Sequence, residues 1–104
     1  MDEEETLRSI RTKLGKVFEI QRMVLFGSRA RGDSRPDSDF DILVVAETSV
    51  PFIERQGMGL LALGKRDFAL DLMIFTPAEF ERGSGVLGSA IYWAQHEGRV
   101  IYAK

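Results

Sequence analysis

The chain contains no cysteine and a single histidine. Without cysteine there is no disulfide framework, no thiol nucleophile and no cysteine-ligated zinc. His96 falls in the last turn of an expected helix, where its charge suits the helix dipole, so it reads as structural and not catalytic. No apolar run approaches the roughly 20 residues that a membrane helix requires. The N-terminus reads MDEEE where a secretory leader would be basic and then apolar, so none is expected. Nor is there an excess of base: 14 Lys and Arg stand against 16 Asp and Glu. Four of those acids (Asp2, Glu3, Glu4, Glu5) crowd the first five residues, leaving 12 against 14 elsewhere. That balance gives no extended basic face for nucleic acid. The expectation is an ordinary cytoplasmic domain, residues 1–104 as one unit. A chain this short has no room for a separate substrate domain, so whatever it acts on is small or brings its own surface.

What the sequence does have is concentrated in the stretch Val24 to Val45, VLFGSRARGDSRPDSDFDILVV. An apolar run ends in Gly27-Ser28; ten residues later a second apolar run opens with Asp39-x-Asp41. Side chains alternate along a strand, so Asp39 and Asp41 point the same way and share one small patch. Two such carboxylates raise each other's pKa, and a hard divalent cation between them relieves the repulsion. Magnesium is the expected guest. Between turn and aspartates lies a loop in which Arg29, Arg31 and Arg35 face only Asp33 before residue 37. Base and acid side by side suit a metal–triphosphate complex, with Arg29 and Arg31 as candidate phosphate contacts.

Around this stretch, residues 3–20 carry Leu7, Ile10, Leu14 and Val17 at helical spacing, opened by Asp2 and Glu5 as a capping box. A short strand is expected from Met23 to Phe26 and a single helical turn from Ser28 to Arg31. A second strand, Asp39 to Ala46, is apolar on both faces after its aspartates and therefore central. Pro51 to Lys65 reads as a helix interrupted by Gly57, Gly59 and Gly64. Phe68 to Phe75 is a third strand, apolar except for Asp71. Thr76-Pro77-Ala78-Glu79 starts a short helix, and Gly83-Ser84-Gly85 separates it from a last one carrying Leu87, Ile91 and Ala94 and ending at Gly98. Arg99 to Tyr102 fits a short edge strand. On the last helix Tyr92 and Trp93 form either an exposed partner-binding patch or part of the core.

The first two strands are close enough to pair antiparallel, while the helix between the second and third allows a crossover that puts them side by side. Asp71 then lies beside Asp39 and Asp41. Three carboxylates and a Gly-Ser turn at one end of a sheet suit phosphoryl or nucleotidyl transfer assisted by two metal ions. Backbone N–H groups after Gly27, with the Ser28 hydroxyl, would hold the outer phosphates.

Gly27-Ser28, ten residues, Asp39-x-Asp41 and a later strand aspartate, Asp71, together resemble the signature of the DNA polymerase beta-like nucleotidyltransferase superfamily. The whole chain is similar to its smallest members, the minimal nucleotidyltransferases. The resemblance implies an α/β (α+β) fold: a mixed sheet of three core strands in order 1-2-3, with a short C-terminal edge strand and flanking helices. It implies Asp39 and Asp41 as ligands of two magnesium ions, Asp71 as a ligand of the catalytic one or as general base, and ATP as substrate. Minimal members resemble the antitoxin half of a toxin–antitoxin pair, which implies transfer of AMP to a tyrosine of a helical HEPN-type partner. The alternatives are transfer to a small hydroxyl compound such as an antibiotic, or a non-catalytic nucleotide-binding module that blocks a partner.

Other patterns carry no chemistry. Asp37-x-Asp39-x-Asp41 starts like a calcium loop, but Ile42 stands where glycine is required and Thr48 where the bidentate glutamate belongs. Gly57-x-Gly59-x-x-Ala62 follows no strand, so it is not a dinucleotide fingerprint. Gly83-Ser84 has Gln95 in place of the aspartate, and Arg31-Gly32-Asp33 is coincidental.

Overall fold

The computed structural model describes residues 2–83 and 89–104. Ser84, Gly85 and Leu87, assigned above to a glycine-rich break and the last helix, lie outside the described residues. The element order is α1 (Glu3–Leu14), β1 (Glu19–Phe26), α2 (Ser28–Arg31), β2 (Phe40–Glu47), α3 (Phe52–Leu63), β3 (Leu70–Phe75), α4 (Pro77–Gly83), α5 (Ala90–Glu97) and β4 (Arg99–Ala103). The described strands form one mixed sheet in order β3-β2-β1-β4. β1 runs antiparallel to both β2 and β4, whereas β2 and β3 are parallel and joined by the α3 crossover. The expected order 1-2-3 is therefore found, with the C-terminal strand added beside β1.

Alternation along the central strands divides the core in two. Met23, Leu25, Ile42, Val44, Leu72 and Ile74 face one way and pack beneath α1 and α3 with Leu7, Ile10 and Leu14. Val24, Phe26, Leu43 and Val45 face the other way, under Phe80 of α4 and Ile91 and Ala94 of α5. β2 is buried on both faces, as its unbroken apolar run requires. Gly59 brings α3 close to the sheet: a Cβ there would stand 2.8 Å from Leu72 Cδ2 and 3.3 Å from both Ile74 and Leu14.

The helix caps form as their sequences require. Glu5 N–H donates to Asp2 Oδ1 at 2.8 Å, and Thr76 N–H donates to Glu79 Oε1 at 2.8 Å while Glu79 N–H reaches back to the Thr76 hydroxyl. The first helix, however, is shorter than its apolar pattern. It stops at Leu14, where Gly15 N–H closes on Arg11 O, and residues 19–22 belong to β1. Phe18 and Ile20 are buried while Glu19 between them is exposed, a period of two that tertiary pairing with β2 selects. Val17, counted above on the helical face, is exposed outside the helix. The third strand is also shorter than expected, beginning at Leu70, so Asp71 stands at its start and not in its middle.

Candidate active site

β1 ends where β2 and β3 begin, and this end of the sheet carries the aspartates. Asp41 is paired with Phe26 across the antiparallel ladder and with Asp71 across the parallel one. Directly paired positions lie about 4.8 Å apart in the backbone. Asp41 shares its sheet face with Leu43 and Val45, and Asp71 shares its own with Met73 and Phe75; both belong to the side covered by α4 and α5. Asp39, two residues before Asp41, precedes the strand and is solvent-exposed.

The electrostatics agree with this proximity. The Asp41 carboxyl is pushed above its ordinary pKa by burial first, then by the charges of Asp71 and Asp39, while Arg31 opposes the rise. Asp41 is thus the carboxylate on which both neighbours act. Among the described residues no three acidic or histidine side chains converge closely enough to hold an ion. Their donor chemistry, hard carboxylate oxygen throughout, nevertheless suits a divalent cation of the magnesium class.

Gly27 closes the site from the β1 side. Its φ of 73° and ψ of −157° are open only to glycine, and a Cβ at this position would overlap the Asp41 carboxylate. The turn residue is therefore glycine for two reasons at once, backbone conformation and contact with the acid. Ser28 starts α2, whose end is marked by Gly32 in the left-handed region, its N–H donating to Ser28 O at 3.0 Å.

The two candidate phosphate arginines part company. Arg31 is exposed, lies near enough to lower the Asp41 pKa, and is held by Asp33 and by Glu97, 3.1 Å away on α5. Those two acids also raise the Arg31 pKa, Asp33 contributing most. Arg29 turns to the opposite side. It donates to Ser38 O at 2.8 and 3.1 Å and to Pro36 O at 3.2 Å, and stacks on Phe40 with its guanidinium carbon 3.9 Å from the ring centre. Glu3 completes its surroundings at 3.6 Å. Phe40 belongs to the α1/α3 core, across the sheet from Asp41. The expected phosphate contact by Arg29 does not fit this placement; its donors hold the loop that delivers Asp39. Arg35 offers its backbone N–H to the Ser38 hydroxyl at 2.7 Å, a second tie in the same loop. His96 stacks on Tyr92 and its Nδ1 lies 3.1 Å from Tyr92 O, in keeping with a structural role. Trp93 is exposed and Tyr92 is partly buried, its ring against Trp93 and His96 and outside both core clusters.

Glu97 is the residue that the sequence did not disclose. It lies 66 positions from Arg31, and nothing in the local pattern of α5 marks it.

The family profile described as "Nucleotidyltransferase domain" matches residues 5–102. The chain belongs to this nucleotidyltransferase family. As a nucleotidyltransferase it is one of the minimal kind. It is 28% identical over 109 residues to a Methanocaldococcus jannaschii protein named as a candidate protein adenylyltransferase, covering 98% of this chain and all of that one. Its fold resembles a nucleotidyltransferase structure from Sulfolobus solfataricus, with a TM-score of 0.69 at 21% identity over 97% of this chain and 80% of that one. It also resembles a chain of a toxin–antitoxin complex crystallised with AMP-PNP, with a TM-score of 0.65 at 19% identity over 99% and 75%. At these identities the structural likenesses speak for the fold. Among the described residues, no helix of this nucleotidyltransferase is long and apolar enough to cross a membrane.

Proposed function

We propose that this nucleotidyltransferase moves AMP from ATP to a hydroxyl on a partner protein, with Asp39, Asp41 and Asp71 as the catalytic carboxylates. The observation that carries the reading is the pairing of Asp41 with Asp71 on one sheet face, against a glycine turn that leaves no room for a side chain. The acceptor oxygen forms a bond to the α-phosphorus, the bond to pyrophosphate breaks, and the hydroxyl proton passes to a carboxylate, with Asp71 as the proposed acceptor of that proton. Asp39, Asp41 and Asp71 would also hold magnesium, which when bound neutralises phosphate charge and orients the reacting oxygens. Two ions are the expected number. The Gly27-Ser28 turn would take the outer phosphates through backbone N–H groups and the Ser28 hydroxyl, and Arg31 would exchange its contacts with Asp33 and Glu97 for phosphate charge.

The acceptor is assigned to a protein on the strength of the relatives: one is named for protein adenylylation and another for a toxin–antitoxin complex. A helical HEPN-type toxin is the proposed partner, which makes this chain an antitoxin acting in the cytoplasm, where ATP is supplied. The second reading, a nucleotide-holding module that blocks its partner without chemistry, draws on the absence of a converged metal site among the described residues.

Label transfer separates them. The protein is incubated with magnesium and α-phosphate-labelled ATP, a lysate or the candidate partner, and Asp39→Asn as control, with γ-labelled ATP in parallel. Label moving from the α position alone, and lost in the variant, supports the transferase. ATP binding and partner neutralisation that both survive in Asp39→Asn without label transfer would leave the blocking module.

A further inference from the structure

The two edges of the sheet are finished differently. On β3 the outward carbonyls are covered by α3: Gln56 Nε2 donates to Leu72 O at 3.1 Å and the buried Arg55 donates to Ile74 O at 3.2 Å. An edge whose carbonyls are already taken cannot template another strand. At the opposite edge β4 pairs with β1 on one side only. Among the described residues no side chain bonds to the outer backbone of Arg99–Ala103, and Val100 is 55% exposed.

Beside this open edge is a cleft of about 310 Å³ between α1 and β4. Arg8 and Arg11 line it from the helix and Arg99, Val100 and Tyr102 from the strand, with Glu4 as the one acid. Arg11 lies over the Tyr102 ring, its guanidinium carbon 5.1 Å from the centre, and Arg99 reaches Glu3 at 3.1 Å. With Arg99 paired to Glu3, the cleft keeps Arg8 and Arg11 against Glu4, a local excess of positive charge in a protein of net charge −2.

From these observations we infer that β4 and its arginine cleft are a docking edge for an extended acidic segment of another protein, which adds a fifth strand to the sheet. Main-chain hydrogen bonds to β4 supply the register, and carboxylates on the incoming strand meet Arg8 and Arg11. A second copy of this chain fits the edge poorly. Antiparallel self-pairing about Ile101 sets Arg99 of each copy near Lys104 of the other and brings two arginine-lined clefts together, where like charges oppose association. The inference does not depend on the catalytic reading, because the cleft and the aspartates are on different parts of the sheet.

The test uses the intact protein, isotope-labelled for NMR, and two short peptides that alternate valine with glutamate or valine with lysine. The acidic peptide is expected to shift the amides of Arg99–Ala103, to weaken with added salt, and to bind about tenfold or more weakly to Arg8→Glu/Arg11→Glu. The lysine peptide is expected not to bind, and the double variant to remain folded by its amide spectrum and to keep its ATP affinity. Absence of β4 shifts at millimolar acidic peptide overturns the inference, as do equal shifts with both peptides or shifts confined to α3. A sedimentation-detected dimer whose interface maps to β4 assigns the edge to a second copy and overturns it equally.

Discussion

Gly27→Ala is the substitution that tests the geometry of the site most directly, because a matched control exists in the same chain. Gly27 has φ 73° and ψ −157°, and Gly64, at the end of α3, has φ 68° and ψ −152°. An alanine in this glycine-only region costs about 1–3 kcal/mol at either position. For a domain of this size that corresponds to about 5–20 °C in melting temperature. The surroundings differ: a Cβ at Gly64 meets nothing within 4 Å, whereas one at Gly27 overlaps the Asp41 carboxylate. Gly64→Ala should therefore lose stability and keep activity. Gly27→Ala should lose at least as much stability and, below its melting temperature, about 100-fold in label transfer, the scale that follows from displacing a catalytic group by about an ångström. Thermal melts and single-turnover label transfer on both variants decide the matter. If the two alanines lower the melting temperature alike and Gly27→Ala still transfers label within about threefold of the parent, the contact between turn and carboxylate has no part in the chemistry.

Asp71→Asn removes one of the charges that raise the Asp41 pKa, so the Asp41 carboxyl should titrate at lower pH by NMR, though still above its ordinary value because burial is the larger cause. An acid whose folded pKa is raised destabilises the native state above its unfolded pKa, and protonation relieves this as pH falls; metal affinity runs the other way and should drop as pH falls through the raised pKa. Arg29→Lys should cost about 1–2 kcal/mol and about tenfold in transfer rate, since an ammonium cannot reproduce the forked contacts to Ser38 and Pro36 or the stack on Phe40; chemical denaturation and kinetics at saturating ATP measure both. Arg55→Ala should destabilise by about 3 kcal/mol in urea, because Arg55 is buried and ties Val50, Ile74 and Glu79 together. The Glu79 pKa is lowered chiefly by its hydrogen bond to Arg55, so the stability it lends is present above the ordinary value of 4.5 and fades as pH falls below it; that acid sensitivity should shrink in Arg55→Ala. Gly57→Ala, with nothing within 4 Å, should stabilise α3 by up to about 1 kcal/mol, whereas Gly59→Ala should destabilise by about 1–3 kcal/mol through contact with Leu72, both read from melting curves.

The residues of the sequence determined by themselves the turn, the paired aspartates and the alternation that sorts the strands. Gly27-Ser28 and Asp39-x-Asp41 are local, and a side chain's sheet face follows from its parity along the strand. The unbroken apolar run of β2 required burial on both sides, and the length of the α3 segment allowed the parallel crossover that sets Asp71 opposite Asp41. Tertiary structure decided what depends on neighbours distant in the chain. Glu19 and Ile20 are expected from the local pattern to end the first helix, and the ladder to β2 makes them the start of β1. Arg29 and Arg31 look equivalent in the loop, yet one is surrounded by the carbonyls of Pro36 and Ser38 and the other by Asp33 and Glu97. The outer edges of β3 and β4 differ only because α3 folds Arg55 and Gln56 onto the first. Local sequence encodes backbone preference and facing; where a long charged side chain finds its partner is fixed by packing, because its reach spans several alternatives that only the folded neighbourhood distinguishes.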